Sequence, residues 1–377
     1  MNKIRVLQFP IRNTAGGITQ YALKNWEYID KTNYQFDFAT FDNKLDFENE
    51  LTGQYCKVHY FSCYAEDNIK QFTAELNEIL DIGYDAVHLH TSYWKSFIVE
   101  EAAKARNIPV IIVHSHNSEL GGADSTINRE DAIIWHKRQR DNFNESLATH
   151  FFACSQNSAK WLFGPQIPKE SIKILNNAID VKKFKYTPRI RMHYRDKLGF
   201  HDNYIIGHVG RFEYQKNHEF LINVFYNVSK QIKNARLVLV GIGSNMNEVK
   251  EKVHRLGLSE KVQFLGKRAD VAELYQAIDL FVLPSLFEGL PISMIEAQCS
   301  GLKCLTSDNV TEEVKITDCV KHLPLRSEVW RDEIIKTAIS NYERYDQSAE
   351  VTAKGFSISD QIKTLERIYA REETIIR

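Results

Sequence analysis

The sequence predicts an α/β protein built from two doubly wound, Rossmann-like domains, each a parallel sheet covered by helices on both faces. Three observations carry this. Short apolar runs alternate with stretches of helical periodicity along both halves of the chain. The 377 residues exceed what one ordinary core holds, at roughly 100–200 residues per domain. The composition, 43% hydrophobic and 26% charged, is that of a globular protein.

Each element follows from local pattern. Residues 4–9 are an apolar run ended by Pro10, after which Ile18, Tyr21, Ala22, Trp26 and Ile29 recur at helical spacing. Residues 34–41 alternate polar and apolar, which predicts a strand. Residues 86–89, 110–113, 151–153 and 172–175 read as further strands, with a helix at 95–106. The second half repeats the pattern, with strands at 204–209, 237–240, 262–265, 280–283 and 304–306 and helices at 219–232, 248–256 and 271–277. Pro291 opens a helix that Gly301 closes. The expected domains are residues 1–180 and 181–355, with a polar, basic linker at 180–197. A C-terminal helix is expected within 356–377, packing back on the first domain.

Charge and cysteine usage exclude several classes. Lys plus Arg is 48 and Asp plus Glu is 49, a net charge of −1, so binding nucleic acid by bulk charge is not expected. The apolar run at the start is too short for a signal peptide, and no run approaches the ~18 apolar residues of a spanning helix. The six cysteines (56, 63, 154, 299, 304 and 319) form no C-x-x-C pair, so structural zinc is not expected. Free thiols in a reducing cytoplasm are the simpler reading.

In open α/β sheets ligands bind beyond the carboxyl ends of strands, so the strand-to-helix loops come first. One loop ends in Gly16-Gly17 before the first helix, where backbone can approach an anion closely; alone, such a pair is equally a tight turn. A second, Gly210 to Asn217, brings Arg211 and Lys216 to a helix start, a pairing suited to a diphosphate or simply to solvent. The third carries Phe287-Glu288-Gly289-Leu290-Pro291, and Glu296 follows on a helix between apolar neighbours. A carboxylate in such company needs a partner, for which ligand hydroxyls would serve. In the fourth, His114-Ser115-His116-Asn117 ends a strand, where a histidine is placed for hydrogen bonding or proton transfer.

Together these residues resemble the family 4 glycosyltransferases, retaining enzymes of the GT-B fold whose two domains face a cleft. Glu288 and Glu296 with Gly301 reproduce the family's E-x7-E signature. Gly210-Arg211-Phe212 with Lys216-Asn217 matches a second motif. Asn177-Ala178-Ile179-Asp180 resembles the family's NGID stretch, with Ala178 in place of glycine. The loops at Gly16-Gly17 and His114 to Ser118 are similar to a subgroup from bacterial capsule and exopolysaccharide clusters.

The resemblance implies roles. Arg211 and Lys216 would hold the nucleotide diphosphate, and Glu296 the ribose. Glu288 with the Gly289 and Leu290 amides would hold the donor sugar. Gly16 and Gly17 would pack against the diphosphate, His116 rather than His114 would contact the sugar, and Gly266 and Lys267 with Arg268 would frame the base. The implied donor is a nucleotide-diphosphate sugar, UDP-linked by subgroup, carrying a hexose or N-acetylhexosamine. The implied acceptor is a saccharide or polyprenyl-linked saccharide contacting loops such as 118–127. The chain has no Asp-x-Asp, so no metal and no cofactor are expected, with Arg211 and Lys216 offsetting the leaving group's charge. A cytoplasmic protein at the inner face of the plasma membrane is implied, with peripheral contact through Lys137-Arg138-Gln139-Arg140 set against a merely solvated helix face.

Three rivals stay open. A metal-dependent hydrolase would use His88-x-His90 and His114-x-His116, against which the two members of each pair are expected on opposite faces of their strand. A sugar-nucleotide epimerase would keep the fold and change the reaction. A binding subunit would keep the fold and lose the chemistry, but Arg211, Lys216, Glu288 and Glu296 are all present. Ser92-x-x-Lys95 matches a nucleophile motif by spacing and reads as a helix start.

Overall fold

The computed structural model describes residues 3–13, 17–117, 120, 129–288, 290–340 and 342–372. Gly16, Gly289, most of the 118–127 loop and the last five residues of the expected C-terminal helix lie outside them. The chain divides into two units, residues 1–177 with 358–377 and residues 178–357.

The first unit has seven parallel strands: β1 (Ile4–Ile11), β2 (Tyr34–Thr40), β3 (Val58–Tyr60), β4 (Ala86–Thr91), β5 (Val110–Ser115), β6 (His150–Ala153) and β7 (Ile172–Ile174). Their spatial order is β3-β2-β1-β4-β5-β6-β7, so the chain reverses direction of growth between β1 and β4. Alternation along the strands sorts their side chains. Leu7, Phe9, Val87, Leu89, Ile111 and Val113 join one apolar core. The intervening Gln8, His88, His90 and His114 fall on the opposite face and are at most 3% exposed. The helices Gly17–Tyr28 and Ile358–Tyr369 pack together over that face, with Gln361 Nε2 donating to Asn25 Oδ1 at 2.6 Å. The C-terminal helix is therefore part of the first unit.

The second unit has six parallel strands: β8 (Tyr204–Val209), β9 (Ala235–Val240), β10 (Val262–Gly266), β11 (Leu280–Leu283), β12 (Lys303–Ser307) and β13 (Val320–Leu323). Their order is β10-β9-β8-β11-β12-β13, with the reversal between β8 and β11. Both faces are apolar. Val238, Val240, Phe281 and Leu283 enter one core, and Leu237, Leu239, Leu280 and Val282 the other. That is the pattern of a sheet buried on both sides.

The expected linker is a correction. Residues 181–198 form the helices Val181–Phe184 and Pro188–Leu198 inside the second unit. The basic residues that suggested a linker have structural work. Arg191 donates to the carbonyls of Gln276, Ala277 and Ile278 at 3.0–3.1 Å, satisfying the end of the helix Val271–Ala277. Arg195 pairs with Asp279 at 3.0 Å. β3 and β13 had no strong pattern to find them. One is three residues long, and the other alternates over only four.

Candidate functional site

The switch point of a doubly wound sheet, where strand order reverses, is where ligand loops gather. In the second unit the loops after β8 and β11 meet there. Leu286 N–H donates to the Gln215 carbonyl at 2.8 Å, and Gln215 Nε2 donates to the Phe287 carbonyl at 2.9 Å. This zipper brings Lys216 onto Glu288, a close Nζ–Oε1 ion pair whose side chains are only 14% and 9% exposed. Ser285 Oγ also donates to Glu288 Oε1 at 2.9 Å. Arg211 is exposed, and its side chain has no hydrogen bond or ion pair among the described residues.

A third loop backs the first. Phe212 N–H donates to the Ile242 carbonyl at 3.0 Å, and Gly241 N–H to the Gly266 carbonyl at 2.9 Å. Gly241 has φ +138°, and a Cβ there would lie 2.0 Å from the Gly210 carbonyl oxygen. Only glycine lets these loops touch. Gly266 ends β10, Lys267 is exposed, and Arg268 is bound to Asp270 at 2.7 Å through Nε.

Glu296 lies on the helix Ile292–Cys299, where Pro291 is the N-cap residue. Its Oε2 accepts from Tyr275 OH at 3.1 Å. Burial and then the Glu296 charge push the Tyr275 hydroxyl well above its ordinary pKa, so it stays a donor. Leu290 packs against the adjoining core. Asp180, in the NGID-like stretch, caps the Val181–Phe184 helix through the Lys182 and Lys183 amides at 3.0 and 3.2 Å.

In the first unit Gly17 begins a helix, exposed, with nothing near its Cα that a side chain would meet. The expectation about the histidine pairs is overturned. Residues two apart on a strand share a face. The His88 and His90 ring centroids are 4.6 Å apart, and those of His114 and His116 4.1 Å. His114 is wholly buried within β5, whereas His116 sits just past its end. His116 Nδ1 and His114 Nε2 are buried with no hydrogen-bond partner among the described residues. Burial pushes His116 down to about 3, and burial followed by mutual repulsion holds His88, His90 and His114 well below the histidine range. Ligand nitrogens of His88, His90 and His114 lie within 4.8 Å of one another, close enough to raise a metal as an occupant. Ser92 and Lys95 precede the helix Ile98–Ala105, with Lys95 paired to Glu66 at 3.2 Å.

Sequence reasoning brought Lys216 and Glu288 to one site but not to each other. It missed Tyr275, Ser285 and Gln215, which carry no motif and meet their partners across 21, 3 and 72 positions.

Comparison with known proteins agrees with this layout. A family model described as Glycosyltransferase Family 4 matches residues 15–183, and one described as Glycosyl transferases group 1 matches residues 191–320. EpsF of Bacillus subtilis (strain 168), named as a glycosyltransferase, is 30% identical over 374 residues, 97% of this chain and 96% of its own. The chain therefore belongs to the family 4-type glycosyltransferases of GT-B fold.

Among particular relatives, the UDP-Gal:α-D-GlcNAc-diphosphoundecaprenol α-1,3-galactosyltransferase of Escherichia coli is 30% identical over 234 residues, 60% of this chain and 58% of its own. HepE of Anabaena matches in structure with a TM-score of 0.76 at 18% identity, covering 98% of this chain and 100% of HepE. WaaG, a glycosyltransferase of lipopolysaccharide biosynthesis, matches at 0.67 and 16% identity, covering 98% of each chain. These structural likenesses speak for the fold. Neither the hydrolase nor the epimerase reading gains support. No helix among the described residues is long and apolar enough to cross a membrane.

Proposed function

We propose that the protein is a retaining glycosyltransferase. It moves a hexose or N-acetylhexosamine from a UDP-sugar to a saccharide or polyprenyl-linked saccharide during capsule or exopolysaccharide synthesis. The observation that carries the reading is the largely buried Lys216–Glu288 pair at the switch point, with Arg211, five positions before Lys216, making no ion pair among the described residues. HepE has been solved with UDP and glucose, the E. coli relative uses UDP-galactose on a diphosphoundecaprenol acceptor, and a further relative, AmsD of Erwinia amylovora, serves amylovoran biosynthesis.

The pair has a chemistry that fits. An incoming diphosphate competes with Glu288 for Lys216 and recruits Arg211. Glu288, released, accepts hydrogen bonds from the sugar's hydroxyls, so the site exchanges one ion pair for two sets of charge-assisted bonds. As the sugar–phosphate bond breaks, negative charge grows on the diphosphate, where preorganised cations stabilise it at a few kcal/mol per good donor. Arg211 and Lys216 fill that role without a metal. Glu296, held by Tyr275, takes the ribose. The family resemblance adds Gly16, Gly17 and His116 as donor contacts, and Gly289, Leu290, Gly266 and Lys267 around sugar and base.

The exposed Ile134 and Trp135 (65% and 48%), beside exposed Lys137 and Arg138 on the helix Arg129–Asn142, support peripheral contact with an anionic membrane. Failure to bind anionic liposomes at low salt would remove that part. The main test is a thermal-shift panel of UDP, GDP, ADP and UDP-sugars with and without EDTA, followed by an acceptor screen. Stabilisation by UDP-sugars that EDTA leaves intact is expected. No shift with any nucleotide at millimolar concentration would defeat the proposal.

A further inference from the structure

The polar face of the first unit's sheet holds two hydrogen-bonded chains that both start at Gln8. In one, Gln8 Oε1 lies 2.9 Å from His90 Nε2, and His90 Nδ1 lies 3.0 Å from His116 Nε2. In the other, Gln8 Nε2 donates to Tyr369 OH at 3.3 Å, Tyr369 OH lies 2.7 Å from His88 Nδ1, and His88 Nε2 lies 3.1 Å from His114 Nδ1. Tyr21 stands edge-on to all four rings, with centroids 4.8–6.1 Å away.

A neutral imidazole has one N–H and one bare nitrogen, so each bond dictates the next. The buried rings are neutral because the low-dielectric face disfavours their charged form. Gln8 Oε1 is an acceptor only, so His90 Nε2 must carry the proton. His90 Nδ1 is then bare, and His116 Nε2 must donate to it. That leaves His116 Nδ1 as an unprotonated lone pair, a buried nitrogen with no hydrogen-bond partner among the described residues. Along the other chain, Tyr369 OH accepts from Gln8 and donates to His88 Nδ1. His88 Nε2 then donates to His114 Nδ1, and the His114 proton rests on Nε2.

Turning the Gln8 amide over would reverse every bond. The amide stands with its Nε2 toward Tyr369 and its Oε1 toward His90, which selects the first order. His114 Nε2 then carries a proton that has no hydrogen-bond partner among the described residues.

We propose that Gln8 and His90 are positioning residues that lock His116 in its Nε2–H tautomer, so that the bare Nδ1 is offered as a hydrogen-bond acceptor to a hydroxyl of the transferred sugar. Tyr369, delivered by the C-terminal helix, fixes the other end of the Gln8 amide. The sugar contact rests on the donor-binding role given to His116 above; the tautomer lock does not.

A metal is the competing occupant of the cluster. Tetrahedral zinc with Zn–N of about 2.0–2.1 Å sets its nitrogens about 3.3 Å apart and needs them free. Here the spacings of 3.0 and 3.1 Å are those of hydrogen bonds, and both nitrogens of His88 and of His90 are already engaged.

The test is long-range 1H–15N correlation on the full-length protein labelled with 15N-histidine, with His116→Gln supplying the assignment. The expected result is a single His116 tautomer, protonated at Nε2 and bare at Nδ1. Gln8→Leu should release it into a mixture of both tautomers. Tyr369→Phe, which removes the hydroxyl holding the other end of the Gln8 amide, should disturb the His88 and His114 signals and let part of His116 shift to the Nδ1–H form. A wild-type His116 protonated at Nδ1, or an unchanged His116 pattern in a folded Gln8→Leu protein, overturns the proposal, and the wild-type spectrum decides even if the variant does not fold. Stoichiometric zinc that shifts the His88, His90 and His114 nitrogens as direct ligands also overturns it. If the tautomer is as stated but UDP-sugar moves no His116 signal, the lock stands and the sugar-contact role of His116 falls.

Discussion

The two units share a topology and put opposite chemistry on it. Each has its strand reversal beside the first strand, between β1 and β4 in one and between β8 and β11 in the other. In the second unit both sheet faces are mainly apolar, although His208, Thr306 and Ser307 are buried within the strands, and the charged Lys216, Glu288 and Arg211 lie on the loops beyond them. In the first unit one face carries a buried polar cluster, with Gln8 and three histidines in the strands themselves, among apolar neighbours such as Val6, Ala86 and Ile112. Charged groups that exchange partners belong in loops, where water can cover them during the exchange. Groups that must hold one orientation can be buried, provided they are neutral and hydrogen-bonded to each other. The contrast teaches that a doubly wound sheet can serve a ligand either by charge at its rim or by orientation from within.

The largest expected effect sharpens this contrast by acid. In the folded state His88, His90, His114 and His116 bind protons more weakly than in the unfolded chain, where the ordinary value is about 6.5. The unfolded state therefore holds more protons below that value, and stability falls as pH drops below about 6.5 toward the His116 value of about 3. One pH unit below 6.5, each histidine kept neutral costs about 1.4 kcal/mol. The second unit has two such histidines, His208 and His218, whereas the first adds His59 and His136 to these four. Urea unfolding between pH 7.5 and 5.5, followed by hydrogen exchange, should show the first unit losing more. Equal losses would break the comparison.

Lys216→Ala comes next. With the cation gone, kcat/KM should fall about 10²–10³-fold while the melting temperature changes little. Unaltered kinetics would remove Lys216 from the site.

Gly301→Ala probes packing alone. Gly301 has φ +68°, and a Cβ would lie 2.0 Å from the Tyr345 carbonyl oxygen. A loss of about 2 kcal/mol or more in chemical denaturation is expected, since strain and clash add. Glu296→Ala is the smallest. It should raise the donor's Kd about tenfold, the worth of a hydrogen bond to a charged group, with a lesser change in stability. A larger loss of stability than of affinity would make Glu296 structural.

How much of this the sequence held differs between the units in the same way. The second unit's strands and its E-x7-E helix were legible because apolar runs, Pro291 and Gly301 punctuate them locally. Lys216 and Glu288 could be singled out from the sequence as candidates, but their pairing could not, because it depends on two loops 72 positions apart being zipped together. Arg191 and Arg195 misled as linker residues because their partners, carbonyls at the end of another helix, have no sequence signature. In the first unit the His-x-His pairs were visible and their geometry was misjudged. Correct strand periodicity puts both members on one face, and only the fold reveals that Gln8 and Tyr369, 361 positions apart, hold them.

The most direct test of the central claim, that the donor displaces Glu288 from Lys216, is calorimetric titration of UDP and of a UDP-sugar into wild type and Glu288→Gln in the presence of EDTA. In wild type UDP must take Lys216 and leave the Glu288 carboxylate with Ser285 but no cation, so the UDP-sugar should bind more tightly. In Glu288→Gln the lysine is free from the start, so UDP should bind more tightly than in wild type and the sugar's advantage should shrink. The same UDP affinity and the same sugar advantage in both proteins would contradict the exchange.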